Sequence, residues 1–425
     1  MVATAGESAK APAPAPAVRP APLRRSRPVV IALALVFFFG PAIAAAVGVR
    51  AAQIENKKLS GFPTAHAGWG VFGAFDKWAT DHLPLRDKAV QANTEVERNL
   101  FGENPNYGAN GQTTTTSALG VAGVAGVGAP QPQATAQTAP EFPTVVTGED
   151  GWLFYGTDFR DACQTTLAPA VIAERFQRLS QIVHAAGKQF ALFIPPDKSD
   201  VYSEFIPDSV AAKSCAMAGE KAFWDALAAN PPVGYHDLRG AIQQAKAAHP
   251  DVLLYRKTDT HWNNTGALIY AHMLADALDR RIWPTTQVRD LGPAVMNSDL
   301  SDLLGAPHHE TADTLAVTRS GVKSVTATPG RIVNTTTDAP LVNGRTLLVS
   351  DSFTEASRFA VTPFFANAYL LNSQAAKTEP GVLAAAIKSS KVVVVEIVER
   401  EVVGGQSPML TTEFLDQLAS TLGVD

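Results

Sequence analysis

Arg345-Thr-Leu-Leu-Val-Ser-Asp-Ser-Phe353 is the stretch on which the reading of this chain turns. The apolar run Leu347 to Val349 stops at three small polar residues and then an aromatic. A buried strand that delivers Ser352 to a sharp strand-to-helix turn has this pattern. Such a turn presents a hydroxyl at the carboxyl edge of a sheet, where open α/β sheets place their ligands. Serine is also a good helix N-cap, so the stretch alone leaves two readings open. A serine nucleophile needs a base and an orienting carboxylate, because its hydroxyl is a poor nucleophile at neutral pH. Thr258-Asp259-Thr260-His261-Trp262, about ninety residues earlier, offers both. Residues two apart in an extended loop point the same way, so Asp259 can accept from the imidazole and fix its tautomer. Trp262 would wall the site against water. The competing reading makes Asp259 and His261 caps of the next helix.

The natural oxyanion donor is the backbone N–H of Ser352 at a helix start, with Asn372, after the next strand, as a second candidate beside a plain turn role. Asp351 is expected to brace the turn. Glu399-Arg400 falls at the same carboxyl edge and reads as an exposed ion pair worth under about 1 kcal/mol. A metal reading lacks a third ligand near His261, since His82, His184, His236, His308 and His309 are scattered. Neither a metal nor a cofactor is expected.

The 425 residues are 46% hydrophobic and 18% charged, enough for one large or two ordinary globular units once tails are subtracted. A net charge of −5 and a pI of about 6.0 give no basic surface for nucleic acid. Cys163 and Cys215 are too few for a four-ligand zinc site and leave a disulfide or two buried thiols open.

Compartment bears on that choice. Residues 1–28 carry the Ala-Pro repeat Ala11 to Ala17 and Arg19, Arg24, Arg25 and Arg27, and read as a disordered cytoplasmic tail. Val29 to Val49 has no charged or strongly polar side chain and would span about 31 Å as a helix, enough to cross a bilayer. The arginines before it put the N-terminus inside and everything after residue 50 outside. Ala44-Ala45-Ala46 resembles a signal-peptide cleavage site, but the apolar run exceeds the usual h-region of about 7–15 residues. A single-pass anchor is therefore expected, with an extracytoplasmic domain in which a Cys163–Cys215 disulfide is plausible.

Residues 50–103 read as a helical membrane-proximal segment and 104–144 as a low-complexity insertion. From 145 to 425 strands alternate with helices. A hairpin is expected at Val145 to Tyr155 and strands at Gln189 to Ile194, 234–237, Val252 to Tyr255, Tyr369 to Asn372 and Val392 to Val398. Helices are expected at Ala168 to Ala186, Lys221 to Ala229, Leu238 to Ala248, Asn264 to Arg280, Val382 to Ser389 and Met409 to Leu422. The Thr/Val alternation from Val317 to Ile332 reads as a peripheral β insertion. Mostly apolar strand runs argue an α/β fold, its sheet mainly parallel and covered by helices on both faces.

Gly151-Trp-Leu-Phe, Pro195-Pro196 with Tyr202, Thr258-Asp-Thr-His-Trp262, Ser350-Asp-Ser-Phe353 and Val398-Glu-Arg400 together resemble the SGNH-hydrolase-like alginate O-acetyltransferases of the AlgJ/AlgX type. Asp81-His-Leu-Pro-Leu-Arg86 resembles the segment those proteins carry ahead of the catalytic domain. The likeness implies Ser352 as nucleophile, His261 as base and Asp259 as the residue that orients it. The chain departs from the pattern at Ser350, where the family usually has glycine. It implies a membrane-anchored extracytoplasmic enzyme that moves acetyl groups onto a polysaccharide through an acyl-enzyme. The donor would be delivered by a membrane-bound O-acyltransferase. A carbohydrate acetyl-esterase with the same triad and an inactive polysaccharide-binding scaffold stand as alternatives.

Overall fold

The computed structural model describes residues 142–305, 308–328 and 330–424. The tail, the apolar run at 29–49, the segment 50–103 with its Asp81–Arg86 motif, and nearly all of 104–144 lie outside the described residues. Among the described residues no helix is long and apolar enough to cross a membrane.

The chain enters as a hairpin, β1 (Val145–Thr147) against β2 (Leu153–Tyr155). The ordered domain reaches back a little further than 145, since the Phe142 ring is already buried in the core. Helices α1 (Gly156–Cys163) and α2 (Pro169–Ala185) lead to strand β3 (Gln189–Phe193). Helix α3 (Lys213–Ala229) begins eight residues before Lys221, and is followed by β4 (Tyr235–His236) and α4 (Leu238–Ala248). Helix α5 (Asn264–Asp279) precedes a long ribbon, β5 (Thr286–Asn297) paired antiparallel with β6 (His309–Arg319). Strands β7 (Val322–Thr328), β8 (Arg331–Thr336), β9 (Val342–Ser350), β10 (Phe365–Asn372) and β11 (Val392–Glu396) follow. Helices α6 (Pro380–Ser389) and α7 (Thr412–Leu422) complete the set.

Seven strands form one sheet in the order β4-β3-β11-β9-β10-β8-β7. The five from β4 to β10 are mutually parallel, whereas β8 and β7 pair antiparallel at one end. The centre is apolar on both faces: Leu347, Leu348 and Val349 of β9 and Val393 to Val395 of β11 are fully buried. Burial of each such side chain is worth about 1.5–3 kcal/mol, which pins the register that carries β9 toward Ser352.

Two expectations change. Val252 to Tyr255 is not a sheet strand; its ladder contact is an isolated bridge between Tyr255 and Trp262. The β-structure from Val317 to Ile332 is not wholly peripheral, because β7 and β8 extend the central sheet and Ile332 is fully buried beneath it. The alternation there reflects a half-buried sheet edge, with one face inward and one face out.

Cys163 at the end of α1 is joined to Cys215 in α3, across a sequence separation of 52 residues with Cα atoms 5.2 Å apart. Closing a loop of that length is worth about 4 kcal/mol in the chain-entropy account. Thiol labelling of the denatured, unreduced protein should therefore mark neither cysteine, and reduction should lower the melting temperature. Two labelled thiols, or an unchanged transition after reduction, would show that the domain stands without the bridge.

Candidate active site

Ser350 ends β9, Asp351 caps the short helix Ser352–Ala356, and Ser352 is that helix's first residue. The turn is held by carboxylates. Asp351 accepts from the Phe353 amide at 2.8 Å and from the Val398 amide at 2.7 Å, which ties the turn to the end of β11. Glu396, fully buried beneath, accepts from the Thr354 amide at 3.1 Å. Burial and the charge of Asp351 push its carboxyl well above the usual range. Asp351 braces the turn as expected.

The loop 256–262 lies opposite. His261 Nε2 is 2.8 Å from Ser352 Oγ, and His261 Nδ1 is 2.8 Å from Asp259 Oδ1. With Nδ1 donating to the carboxylate, Nε2 is left as acceptor for the serine hydroxyl. Asp259 also accepts from the amides of His261 at 2.9 Å and Asp299 at 3.1 Å, and pairs with the Arg256 guanidinium. Burial opposes its charge, but the hydrogen bonds and charge of His261 and the charge of Arg256 outweigh it and hold the carboxyl below the ordinary range. A hydroxyl, an imidazole and an ionised carboxylate in one hydrogen-bonded line can move the serine proton onto the ring.

The loop is no sheet strand; the Leu153 amide of β2 donates to its Lys257 carbonyl at 2.9 Å, and side chains add the other holds. Lys198, 1% exposed, donates from Nζ to the carbonyls of Arg256 at 3.1 Å, Lys257 at 3.0 Å and Asp259 at 2.6 Å. Burial pushes its ammonium down to about 8. Glu310, at the start of β6, accepts from the amides of Lys257 at 2.8 Å and Thr258 at 3.2 Å. Asn263 caps α5 through the amides of Thr265 and Gly266. A Cβ on Gly266 would lie 2.4 Å from the Leu254 carbonyl oxygen, so only glycine lets α5 start this close to the loop.

The remaining expected residues fall elsewhere. Trp262 is 2% exposed, stacks on Tyr270 and meets Phe353 edge-on at 4.9 Å; it backs the site from the core and does not line its mouth. Asn372 is exposed at the end of β10 beside Ser350, and its amide oxygen accepts from Gln374, the turn role. Glu399-Arg400 is not an exposed ion pair. Glu399 is fully buried and takes the Trp224 indole at 2.6 Å and the Asp197 amide at 2.8 Å. Arg400 pairs with Asp197 at 2.5 Å, and its guanidinium lies 5.3 Å from the Phe353 ring centre. A charge inside this cluster has partners that no surface pair has, which is why two polar residues could be buried.

No local sequence signal marks Asp299. It lies 40 residues beyond Asp259, and the β5–β6 ribbon brings it to the imidazole, with Oδ2 at 3.5 Å from His261 Nδ1. Asp259, His261 and Asp299 place ligand atoms within 4.8 Å of one another. The carboxylate oxygens already accept from protein donors, the ring's Nδ1 donates to Asp259, and the Arg256 guanidinium on Asp259 opposes a second cation, so this set does not fit a metal.

A parallel α/β sheet with this serine turn and the Asp-x-His loop defines an SGNH-hydrolase-like domain. The chain belongs to the family described as SGNH hydrolase-like domain, acetyltransferase AlgX, which matches residues 145–391. It is 31% identical over 142 residues to the "Probable alginate O-acetylase AlgJ" of Pseudomonas putida, covering 33% of this chain and 35% of that protein. The protein of the same description from Pseudomonas fluorescens is 32% identical over 136 residues, covering 32% of this chain and 34% of that one. The chain thus spans about a third of the length of the curated relatives it matches. The solved O-acetyltransferase domain of Pseudomonas putida AlgJ superposes with a TM-score of 0.44 at 20% identity, covering 65% of this chain and 99% of that domain.

The buried acids behind Phe353 give a stability prediction. Burial pushes Asp158 up to about 7 and Glu220 up to about 8, with neighbouring acids adding to both. In the unfolded chain these carboxyls ionise near 4, so between about pH 4 and 8 the folded state holds more protons and stability falls as pH rises. Asp259, held low, acts only below that window. The melting temperature should be higher at pH 5.5 than at pH 8, and Glu220→Gln should flatten the difference. A melting temperature that rises across the window would contradict this.

Proposed function

We propose that this chain is an extracytoplasmic O-acetyltransferase that moves acetyl groups onto a polysaccharide through an acyl-enzyme on Ser352. The observation that carries the reading is the line Ser352 Oγ–His261 Nε2–Asp259, with both imidazole contacts at 2.8 Å. Family membership over residues 145–391 supports acetyl transfer, and the curated relatives' description as alginate O-acetylases supports a polysaccharide acceptor. The apolar run Val29 to Val49 with arginines ahead of it supports a single-pass anchor and an outside domain. A membrane-bound O-acyltransferase would then be the source of the acetyl group.

In this reading Ser352 Oγ attacks the acetyl carbonyl carbon while its proton passes to His261 Nε2. The donor's leaving group departs with that proton, and acetyl-Ser352 remains. A sugar hydroxyl then gives its proton to the same nitrogen as its oxygen takes the acetyl carbon. Ser352 Oγ leaves and recovers the proton. Asp259 keeps the ring's Nδ1 protonated throughout and balances the imidazolium. An esterase would run the same steps with water as acceptor.

Purified protein given an activated acetyl ester, with and without oligosaccharide, should place acetyl on sugar. Ser352→Ala, His261→Ala and Asp259→Asn should each lower the rate by about 10³–10⁴. The triple variant should lose little more than Ser352→Ala alone, because the three act as one unit. If they are only helix caps, each change costs about 1 kcal/mol of stability and activity persists. Wild-type turnover in folded Ser352→Ala would sink the acyl-enzyme reading; acetate released with none on sugar would favour an esterase.

A further inference from the structure

Asp259 does not serve His261 alone. Its carboxylate is in contact with the Arg256 guanidinium, and the Lys198 ammonium grips the backbone carbonyl of the same residue. One cation therefore sits on the single carboxylate that a serine triad ordinarily uses to balance its imidazolium, and a second stands on the same residue's backbone.

Asp299 stands on the other side of the ring. Oδ2 lies 3.5 Å from His261 Nδ1, and Thr260 Oγ1 bridges the two, 3.2 Å from the ring nitrogen and 2.5 Å from the carboxylate. Asp299 also accepts from the Thr260 amide at 2.7 Å, and its own amide donates to Asp259 Oδ2 at 3.1 Å. Both carboxylates and the ring are thus joined through one short stretch of backbone.

The charged groups around this ring come from four directions. The loop supplies Arg256 and Asp259, the helix before Tyr202 supplies Lys198, β6 supplies Glu310, and the turn into the helix Asp299–Leu303 supplies Asp299. Asp302 and His309 stand farther out, and Arg400 lies behind Phe353. Arg256 and Lys198 cancel two of the three nearer carboxylates. One negative charge remains to meet the imidazolium that forms when Nε2 takes a proton, and without Asp299 none would remain.

We propose that Asp299 is a positioning residue for His261, a second carboxylate that restores the countercharge Arg256 draws from Asp259 and that holds the ring through Thr260. The inference rests on the catalytic reading of His261 above.

Asp299→Asn in the full chain tests it, since the amide oxygen still accepts from the Thr260 amide and the amide nitrogen can donate to Thr260 Oγ1 in place of the lost acceptor, while the charge is removed. kcat should fall about tenfold with KM little changed. The acid limb of the kcat/KM profile should move to lower pH by about one unit, because a lost negative charge disfavours the protonated ring. The His261 ring signal in NMR, assigned by its disappearance in His261→Gln, should titrate at correspondingly lower pH, with the shift shrinking at high salt. Asp299→Ser serves as the second variant should Asn unfold the loop. Slower turnover with both midpoints unmoved would reduce Asp299 to a loop brace and overturn the proposal. The ring titration decides Asp299 even where no acetyl transfer is found, an outcome that would count against the functional reading instead.

Discussion

A buried ammonium holds the site together. The loop that carries Asp259 and His261 belongs to no sheet or helix, so few of its backbone carbonyls find backbone donors, the Leu153 amide on that of Lys257 among them. Lys198 Nζ satisfies three of them at once from a position with almost no solvent contact. Losing that ammonium would take from the Arg256 and Asp259 carbonyls a donor worth about 1–3 kcal/mol each, while the Lys257 carbonyl would keep the Leu153 amide at 2.9 Å. The position of the imidazole, and hence its 2.8 Å reach to Ser352, depends on a side chain more than 60 residues earlier in the chain.

The opposite half of the site is held by acids. Asp351, Glu396 and Glu399 each accept from backbone amides at or beside the strand ends, and Asp197 pairs with Arg400 behind Phe353. So many buried carboxyls cannot all ionise at low cost. Burial and neighbouring acids push Glu396 and Glu399 upward, and burial pushes Asp197 upward as well, against the pull of Arg400. The turn bearing Ser352 is therefore fixed by backbone amides that donate to buried carboxyl groups, while the loop bearing His261 is fixed chiefly by the Lys198 ammonium and the Glu310 carboxyl. The Ser352 hydroxyl and the His261 imidazole meet where these two environments adjoin.

Much of this architecture was legible in the chain. Leu347 to Val349 and Val392 to Val395 are apolar without interruption because both faces of their strands are covered; a strand with one face in water would alternate instead. Asp259, His261 and Ser352 were readable because two short motifs carry them and a family resemblance orders them. What was not readable depends on adjacency made by the fold. Asp299 meets His261 only because the β5–β6 ribbon returns beside the loop, and no local pattern announces that. Glu399-Arg400 read as an exposed ion pair because charged side chains are seldom buried, and nothing in the local sequence singles out Lys198; each is received by partners far away in sequence. The strands β7 and β8 looked peripheral because their alternation describes a half-exposed edge, which says nothing about the sheet they join.

The central claim is that Ser352 takes the acyl group in a covalent step. Brief incubation with an activated acetyl ester in the absence of sugar, followed by rapid acid quench and peptide mass spectrometry, measures this directly. The account predicts one added acetyl group on the peptide containing Ser352, depleted when oligosaccharide is supplied before the quench and missing in His261→Ala. Acetyl transfer to sugar at full rate with Ser352 unmodified at every time point would contradict it.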